Sequence, residues 1–271
     1  MSNLQLRVIS AVILAVVTLA VTWFGGLPFR LLAAGIAAAI FYEWAVMCRT
    51  SINGLHQLVV AAMLVGVLFL LISGQAAATV LIALAITLAA VIVHAIASGQ
   101  GGWMPAGLAY AALSGISLAL LRGNDQSGLV AILFLFAVVW ATDIIAYFVG
   151  RAIGGPKLAP AISPGKTWSG AIGGAAGGVC AGMLLSTIAG TSPSLATFAT
   201  ALILSVISQA GDLFESWVKR RKGVKDSGNI IPGHGGVMDR VDGLVAAAFA
   251  LYLLGWASGS ADHPAQMLFP V

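Results

Sequence analysis

The sequence predicts an all-α fold, a polytopic integral membrane protein with about nine transmembrane helices. Three observations lead there. Hydrophobic residues make up 60% of the chain and charged residues only 8%, with a mean hydropathy of +1.02; soluble globular domains carry roughly 45–50% apolar residues. Apolar runs long enough to cross a bilayer recur from end to end, and the segments between them are short. The 271 residues accommodate about nine spans of ~20 residues with short connections, leaving no room for a separate soluble domain. One transmembrane domain over 1–271 is therefore expected, with an N-terminal helical part, 1–121, and a second part, 122–271, whose loops 151–166 and 215–240 gather the polar side chains.

The first run, 9–24, lacks a small-residue cleavage site and passes almost directly into a second run, 28–47, so it reads as a span and not a signal peptide. Further runs occupy 55–73, 77–97, 105–121, 128–150, 167–189, 194–214 and 241–257, separated by turn-forming segments such as GGLP at 25, RTSING at 49, RGNDQSG at 122 and GTSPS at 190. A cytoplasmic N-terminus places Arg7, Arg49, Arg151, Lys157, Lys166, Lys219, Arg220, Arg221, Lys222, Lys225 and Arg240 inside, and only Arg30 and Arg122 outside. That asymmetry is a positive-inside signal. Cys48 and Cys180 show no pairing pattern and read as packing residues. Glu43, in FYEWAVMCR, is expected to pair with Arg49 near the interface, and His56, His94 and His263 to be structural or solvated.

One stretch departs from this economy of charge. Lys219, Arg220, Arg221, Lys222, Lys225, Asp226, Asp239, Arg240 and Asp242 all fall within 219–242. Each charge at the bilayer centre costs about 2.5–3.5 kcal/mol on insertion scales, so the stretch belongs in water or in a wet cavity. Its interior, SGNIIPGHGG, holds Gly228, Gly233, Gly235 and Gly236, which expose backbone N–H groups and admit close approach of a ligand. Cations before glycines suggest a polyphosphate, with His234 able to hydrogen-bond a phosphate; a basic juxtamembrane loop drawn to anionic lipid is the plainer reading. Asp239 and Asp242 stand three apart at the start of an apolar run and would share a helix face, while Asp212, Glu215 and Ser216 follow the same spacing at the end of the previous one. Carboxylates beside a phosphate site suit Mg²⁺, which is commonly held by one or two carboxylates and substrate phosphates. In WATDIIAYFVGR, Asp143 lies about seven residues before the end of its span, roughly 10 Å deep, and an intramembrane carboxylate marks a functional site unless it is paired, for instance with Arg151. Arg151, Lys157, Ser163, Lys166 and Thr167 follow. The GKT at 165–167 is not a P-loop, because Pro160 stands where that motif needs glycine and no strand is expected before it.

Taken together, Ser216, Lys219, Arg220, Lys225, Asp226, Gly228, the run Pro232 to Gly236, Asp239, Arg240 and Asp242 closely resemble the signature of the phosphatidate cytidylyltransferase (CDP-diacylglycerol synthase) family, and the likeness extends upstream through Asp143 to Tyr147 and the KLAP, ISP and GKT elements. The first 120 or so residues are similar to the family only as apolar spans. Ser169 departs from it, standing where the family often has an acidic residue. The resemblance implies a membrane enzyme that joins CTP to phosphatidate with Mg²⁺, working at the cytoplasmic face of a bacterial membrane as a homodimer, without nucleic acid. Carried over by position, it implies Asp212, Asp239, Asp242 and Asp143 as metal ligands, with Glu215 a further candidate. Lys219, Arg220, Lys225 and Arg240 would clamp phosphates, and Ser163, Lys166, Thr167, His234, Gly235 and Gly236 would line the substrate site. A CDP-alcohol phosphotransferase fits less well, since DRVDGLVAAAFA lacks the arginine of that pattern; a transporter would place its polar groups near midplane. A nucleotidyltransferase for another lipid phosphate shares the same chemistry.

Overall fold

A computed structural model of the chain describes residues 3–48, 54–231 and 233–271. Arg49 and Pro232, and the side chain of Arg7, lie outside the described residues. In chain order the elements are α1 (Asn3–Phe24), α2 (Gly26–Met47), α3 (Gly54–Ile72), α4 (Ala77–Ala97), α5 (Trp103–Arg122), α6 (Gln126–Ile153), β1 (Lys157–Ala159), β2 (Ser163–Thr167), α7 (Trp168–Ile188), α8 (Leu195–Arg221) and α9 (Met238–Ser258). Eight helices among the described residues are long and apolar enough to cross a membrane, and the described apolar part of α1, Val8–Phe24, is shorter. The protein is an α-helical, polytopic membrane protein.

Two helices outrun their apolar runs. α6 continues to Ile153 and α8 to Arg221, because charge ends a hydropathic run without ending a helix. In α8, Glu215 precedes Lys219 at i, i+4 with their charged atoms 3.3 Å apart, the favourable order for such a pair. Lys219, Arg220 and Arg221 close its last turn, where cations suit the negative end of the helix dipole. The stretch expected to be a strand-free loop instead folds into an antiparallel hairpin pairing Lys157 with Thr167 and Ala159 with Ser163, so the GKT tripeptide is the end of β2. A short hairpin among Gly and Pro carries too little periodicity to be seen in sequence.

The chain divides into two compact units, residues 1–120 with 222–240, and residues 121–221 with 241–271. In the first, Trp44 is the wedge between α2 and α5: it is 1% exposed, its indole N–H donates to the Trp103 carbonyl at 2.8 Å, and its ring lies 5.8 Å from that of Tyr110. Lys222 places its ammonium 4.0 Å from the centre of the Trp103 ring, a cation–π contact that docks the start of the charged loop. His56 and His94, distant in sequence, stack at 4.6 Å. Cys48 is buried, whereas Cys180, expected to be a packing residue, is exposed.

The second unit is organised by a glycine seam. Gly170, Gly174, Gly178 and Gly182 recur every fourth residue on the face of α7 turned to α6, and small residues at this spacing let membrane helices approach closely. A Cβ added at Gly174 would stand 2.8 Å from the Thr142 carbonyl oxygen and 2.9 Å from the Ala146 Cβ. The Thr142 hydroxyl donates to the Val138 carbonyl and lies 2.7 Å from the Ser205 hydroxyl, tying α8 to the same seam. Beyond α9 the chain returns: the Phe269 ring lies 4.9 Å from that of Phe134. Gln266 donates to the carboxylate of Asp125, which also caps α6 through Gly128 N at 2.8 Å.

Because the seam leaves no room for a side chain, Gly174→Val should destabilise the protein by about 1–3 kcal/mol, seen as a lower melting temperature in detergent. Gly35→Ala, at a site with nothing within 4 Å, should leave it unchanged or slightly raised.

Candidate active site

In the second unit, α6 ends where Gly154 and Gly155 take φ of +67° and +98°, a left-handed turn that glycine adopts without steric cost. The turn feeds the hairpin, and the hairpin returns the chain to the head of α7. Thr167 is the hinge of that return: it is 5% exposed, and its hydroxyl accepts from Gly170 N at 3.1 Å, capping α7. Ser169 donates to the Gly154 carbonyl, so a hydroxyl ties the two helix ends together.

These elements enclose a cavity of about 570 Å³. Its walls are Asp143, Tyr147, Gly150 and Arg151 of α6, the turn at Gly154 and Gly155, Lys157 of β1, Gly165, Lys166 and Thr167 of β2, Gly170 and Ala171 of α7, and Gln209 and Asp212 of α8. Lys166 forms an ion pair with Asp212. Asp143 stands in the electrostatic field of Asp242, Asp212 and Lys166, and the Asp242 carboxyl meets that of Glu215. Arg151, a possible partner for Asp143, instead donates to the Tyr147 hydroxyl at 3.0 Å. Gln209 donates to the carbonyls of Ala171 and Ser205, both at 3.3 Å. At the hairpin tip the Ile162 carbonyl accepts from Arg220 Nε at 3.4 Å, and Ser163 is half-buried there. Asp143, Asp212 and Asp242 thus gather in the field of Lys166, Glu215 joins Asp242 and pairs with Lys219, and Arg151 and Lys157 stand on the cavity wall.

The remaining expected residues lie in the first unit, on loop 222–237 and the start of α9. The loop turns tightly at Gly233 and Gly235, with φ of +76° and +87°, and Ile231 and Gly235 bridge there through Ile231 N to Gly235 O at 2.9 Å. His234 lies 2.8 Å through Nδ1 from the Ser10 hydroxyl, and its carbonyl accepts from Arg240 Nε at 3.0 Å. Asp239 Oδ2 accepts from Ser227 N and Gly236 N, both at 3.0 Å, and lies 2.9 Å from the Ser227 hydroxyl. Lys225 and Arg240 are exposed. A second cavity of about 570 Å³ opens among Asp226, Asn229, Ile231, Gly233, His234, Gly235 and Arg240.

The sequence reading gives no hint of the partners Glu43 finds, and the Arg49 expected to pair with it lies outside the described residues. The Glu43 carboxylate is taken up by the far end of the loop: Oε1 accepts from Val237 N at 2.8 Å, and Oε2 accepts from Met238 N at 2.8 Å and lies 2.9 Å from the Ser227 hydroxyl. The one signal in sequence was an acidic residue inside an apolar run. Among the described residues no group of three or more His, Cys, Asp or Glu side chains stands ready to hold a metal ion.

Comparison with known proteins gives the family. The model of the cytidylyltransferase family matches residues 5–257. Phosphatidate cytidylyltransferase of Brucella suis biovar 1 (strain 1330) is 50% identical over 269 residues, covering 99% of both chains. The protein of the same name from Brucella abortus biovar 1 (strain 9-941) is 51% identical with the same coverage. That of Bacillus subtilis (strain 168) is 33% identical over 94% of this chain and 98% of its own.

The geometry separates two roles for Thr167. If its hydroxyl serves mainly as the α7 cap, Thr167→Ala should cost about 1 kcal/mol of stability and Thr167→Ser should restore the melting temperature. A role in substrate binding would instead lower activity in the alanine variant without moving that temperature.

Proposed function

The chain belongs to the cytidylyltransferase family, and from that premise we propose its reaction in full: it transfers a cytidylyl group from CTP to phosphatidate, giving CDP-diacylglycerol and pyrophosphate. The observation that carries this is the 50% identity over 99% of the chain to a phosphatidate cytidylyltransferase, in a membrane protein whose charge is gathered around the ends of its helices. An oxygen of the phosphatidate phosphate forms a bond to the α-phosphorus of CTP, and the oxygen bridging α- and β-phosphorus leaves with pyrophosphate. The attacking monoester has a second pKa of about 6 and is largely dianionic near pH 7, so no general base is required. What must be overcome is repulsion between two anions, and positioned cations do that in phosphoryl-type transfer. Arg151, Lys157 and Lys166 on the cavity wall, with Lys219 and Arg220, are assigned to the phosphates in the second unit; Lys225 and Arg240 are assigned to them on the loop.

The donor set fits Mg²⁺. Asp143, Asp212 and Asp242 are hard oxygen donors within one another's field, and that ion is usually held by one or two carboxylates with substrate phosphates and waters completing its shell. We assign Asp212 and Asp242 to it, with Asp143 and Asp239 as further candidates. Bound there, it would neutralise developing charge on the phosphates. Asp239 has a second duty, since its Oδ2 gathers the loop amides. The distribution of Lys and Arg supports a bacterial cytoplasmic membrane with the site facing the cytoplasm, where CTP is available; the family likeness supports a homodimer, and no nucleic acid takes part.

Purified protein with Mg²⁺, labelled CTP and a panel of lipid phosphates should yield a CDP-lipid and pyrophosphate, fastest with phosphatidate. Inactivity towards every lipid phosphate would overturn the reaction. Asp212→Asn and Asp242→Asn should each lose at least ~10²-fold in turnover, as removal of one electrostatic stabiliser does, with an unchanged melting temperature, while Asp262→Asn retains full turnover. Cysteines introduced at 223–228 should resist an impermeant reagent in sealed cells, and those at 123–126 should react; the reverse pattern would place the loop on the wrong side for CTP.

A further inference from the structure

We propose that Glu43 is a positioning residue for the transfer reaction, a buried carboxylate on α2 that sets the shape of loop 222–237 and thereby of the cavity that loop lines, which we assign to the soluble substrate. The inference rests on the reaction proposed above. Glu43 is 1% exposed, and both of its oxygens accept: Oε1 from Val237 N at 2.8 Å, Oε2 from Met238 N at 2.8 Å, with the Ser227 hydroxyl at 2.9 Å. The first N–H groups of a helix have no partner within it, and an anion at this end also meets the positive end of the dipole. Glu43 supplies both to α9 from another helix.

The loop is built around this carboxylate. A Cβ at Gly228 would stand 2.8 Å from Glu43 Oε1, and one at Gly236 would stand 2.7 Å from Oε2 and collide with the Ser227 hydroxyl. Both glycines are therefore required by the approach of the loop to Glu43. The contact passes to Asp239 through Ser227, whose hydroxyl lies 2.9 Å from both Glu43 Oε2 and Asp239 Oδ2, one proton between two carboxylates. The segment so held lines the cavity of about 570 Å³ with Asp226, Asn229, His234 and Arg240. Such walls suit a nucleotide from the aqueous side and not acyl chains.

An amide cannot replace the carboxylate, because whichever oxygen becomes NH₂ then faces a backbone N–H. Glu43→Gln should therefore loosen the loop. Glu43→Asp keeps the charge one methylene short and should recover part of the effect. The test uses the full-length protein in detergent, with amide hydrogen exchange measured without substrate and kinetics measured with CTP and phosphatidate varied separately.

In Glu43→Gln, exchange should rise about tenfold in peptides of 222–237, the order of effect expected for losing hydrogen bonds to a charged group, and remain unchanged in α3 and α4. kcat/KM for CTP should fall about tenfold or more with KM for phosphatidate unchanged, and Glu43→Asp should lie between. Unchanged exchange in the loop would overturn the proposal. So would a uniform rise across the first unit, with equal losses for both substrates, since that is what a purely structural residue produces. If Glu43→Gln does not fold, Glu43→Asp is judged by the same criteria. Wild-type protein that makes no CDP-lipid would refute the reaction, while the exchange measurements would still decide whether Glu43 holds the loop.

Discussion

A carboxylate with almost no exposure must be answered by hydrogen-bond donors, and the donors that answer Glu43 belong to a loop far along the chain. A stretch with so many charges and glycines has little apolar surface with which to fold itself. Its order comes from what it is tied to: Glu43 takes its end, Lys222 lies over Trp103 at its start, and Ser10 meets His234 at its turn. Remove the first of these and two backbone N–H groups, a hydroxyl and the orientation of Asp239 all lose their reference. The N-terminal helices are thus the surface on which the loop acquires its shape.

The cavity of the second unit solves a different problem, that of keeping opposite charges close without mutual cancellation. Lys166 reaches Asp212 from a hairpin, so that pair is held by two separate elements, while Lys219 reaches Glu215 one turn away on the same helix. A site that must bind phosphates and a cation in one place needs both signs available, and pairing them in the resting protein avoids leaving a charge unanswered. The glycine seam contributes by holding α6 against α7, which fixes Asp143 relative to Thr167 and Gly170 on the same wall.

The spans were legible because a bilayer demands long apolar runs, and those runs are visible in composition. Helix ends were less so: at Arg151 to Ile153 and at Glu215 to Arg221 the apolar signal stops while the backbone ladder continues. The spacing of Asp239 and Asp242 places α9 correctly, since its first residue is Met238. The hairpin escaped notice because Gly154, Gly155, Pro156 and Pro160 read as loop, and its few paired residues have no alternation. The loop partners of Glu43 were hidden for a physical reason. A charge near the end of an apolar run invites the nearest opposite charge, and neither amides nor a hydroxyl 184 residues away leave a mark in local sequence.

That separation gives the folded contact a history in time. Ribosomes add roughly 5–20 residues per second, so about 10–40 s pass between synthesis of Glu43 and of Ser227. During this interval α2 can already be inserted while the backbone donors that answer its acidic side chain have not yet been made. A charge is costly within hydrocarbon, which favours keeping that end of the helix at the interface until the loop arrives. The N-terminal unit is thus finished only when nearly nine-tenths of the chain exists, and a nascent protein arrested before Val237 carries an acidic helix end still waiting for its partner.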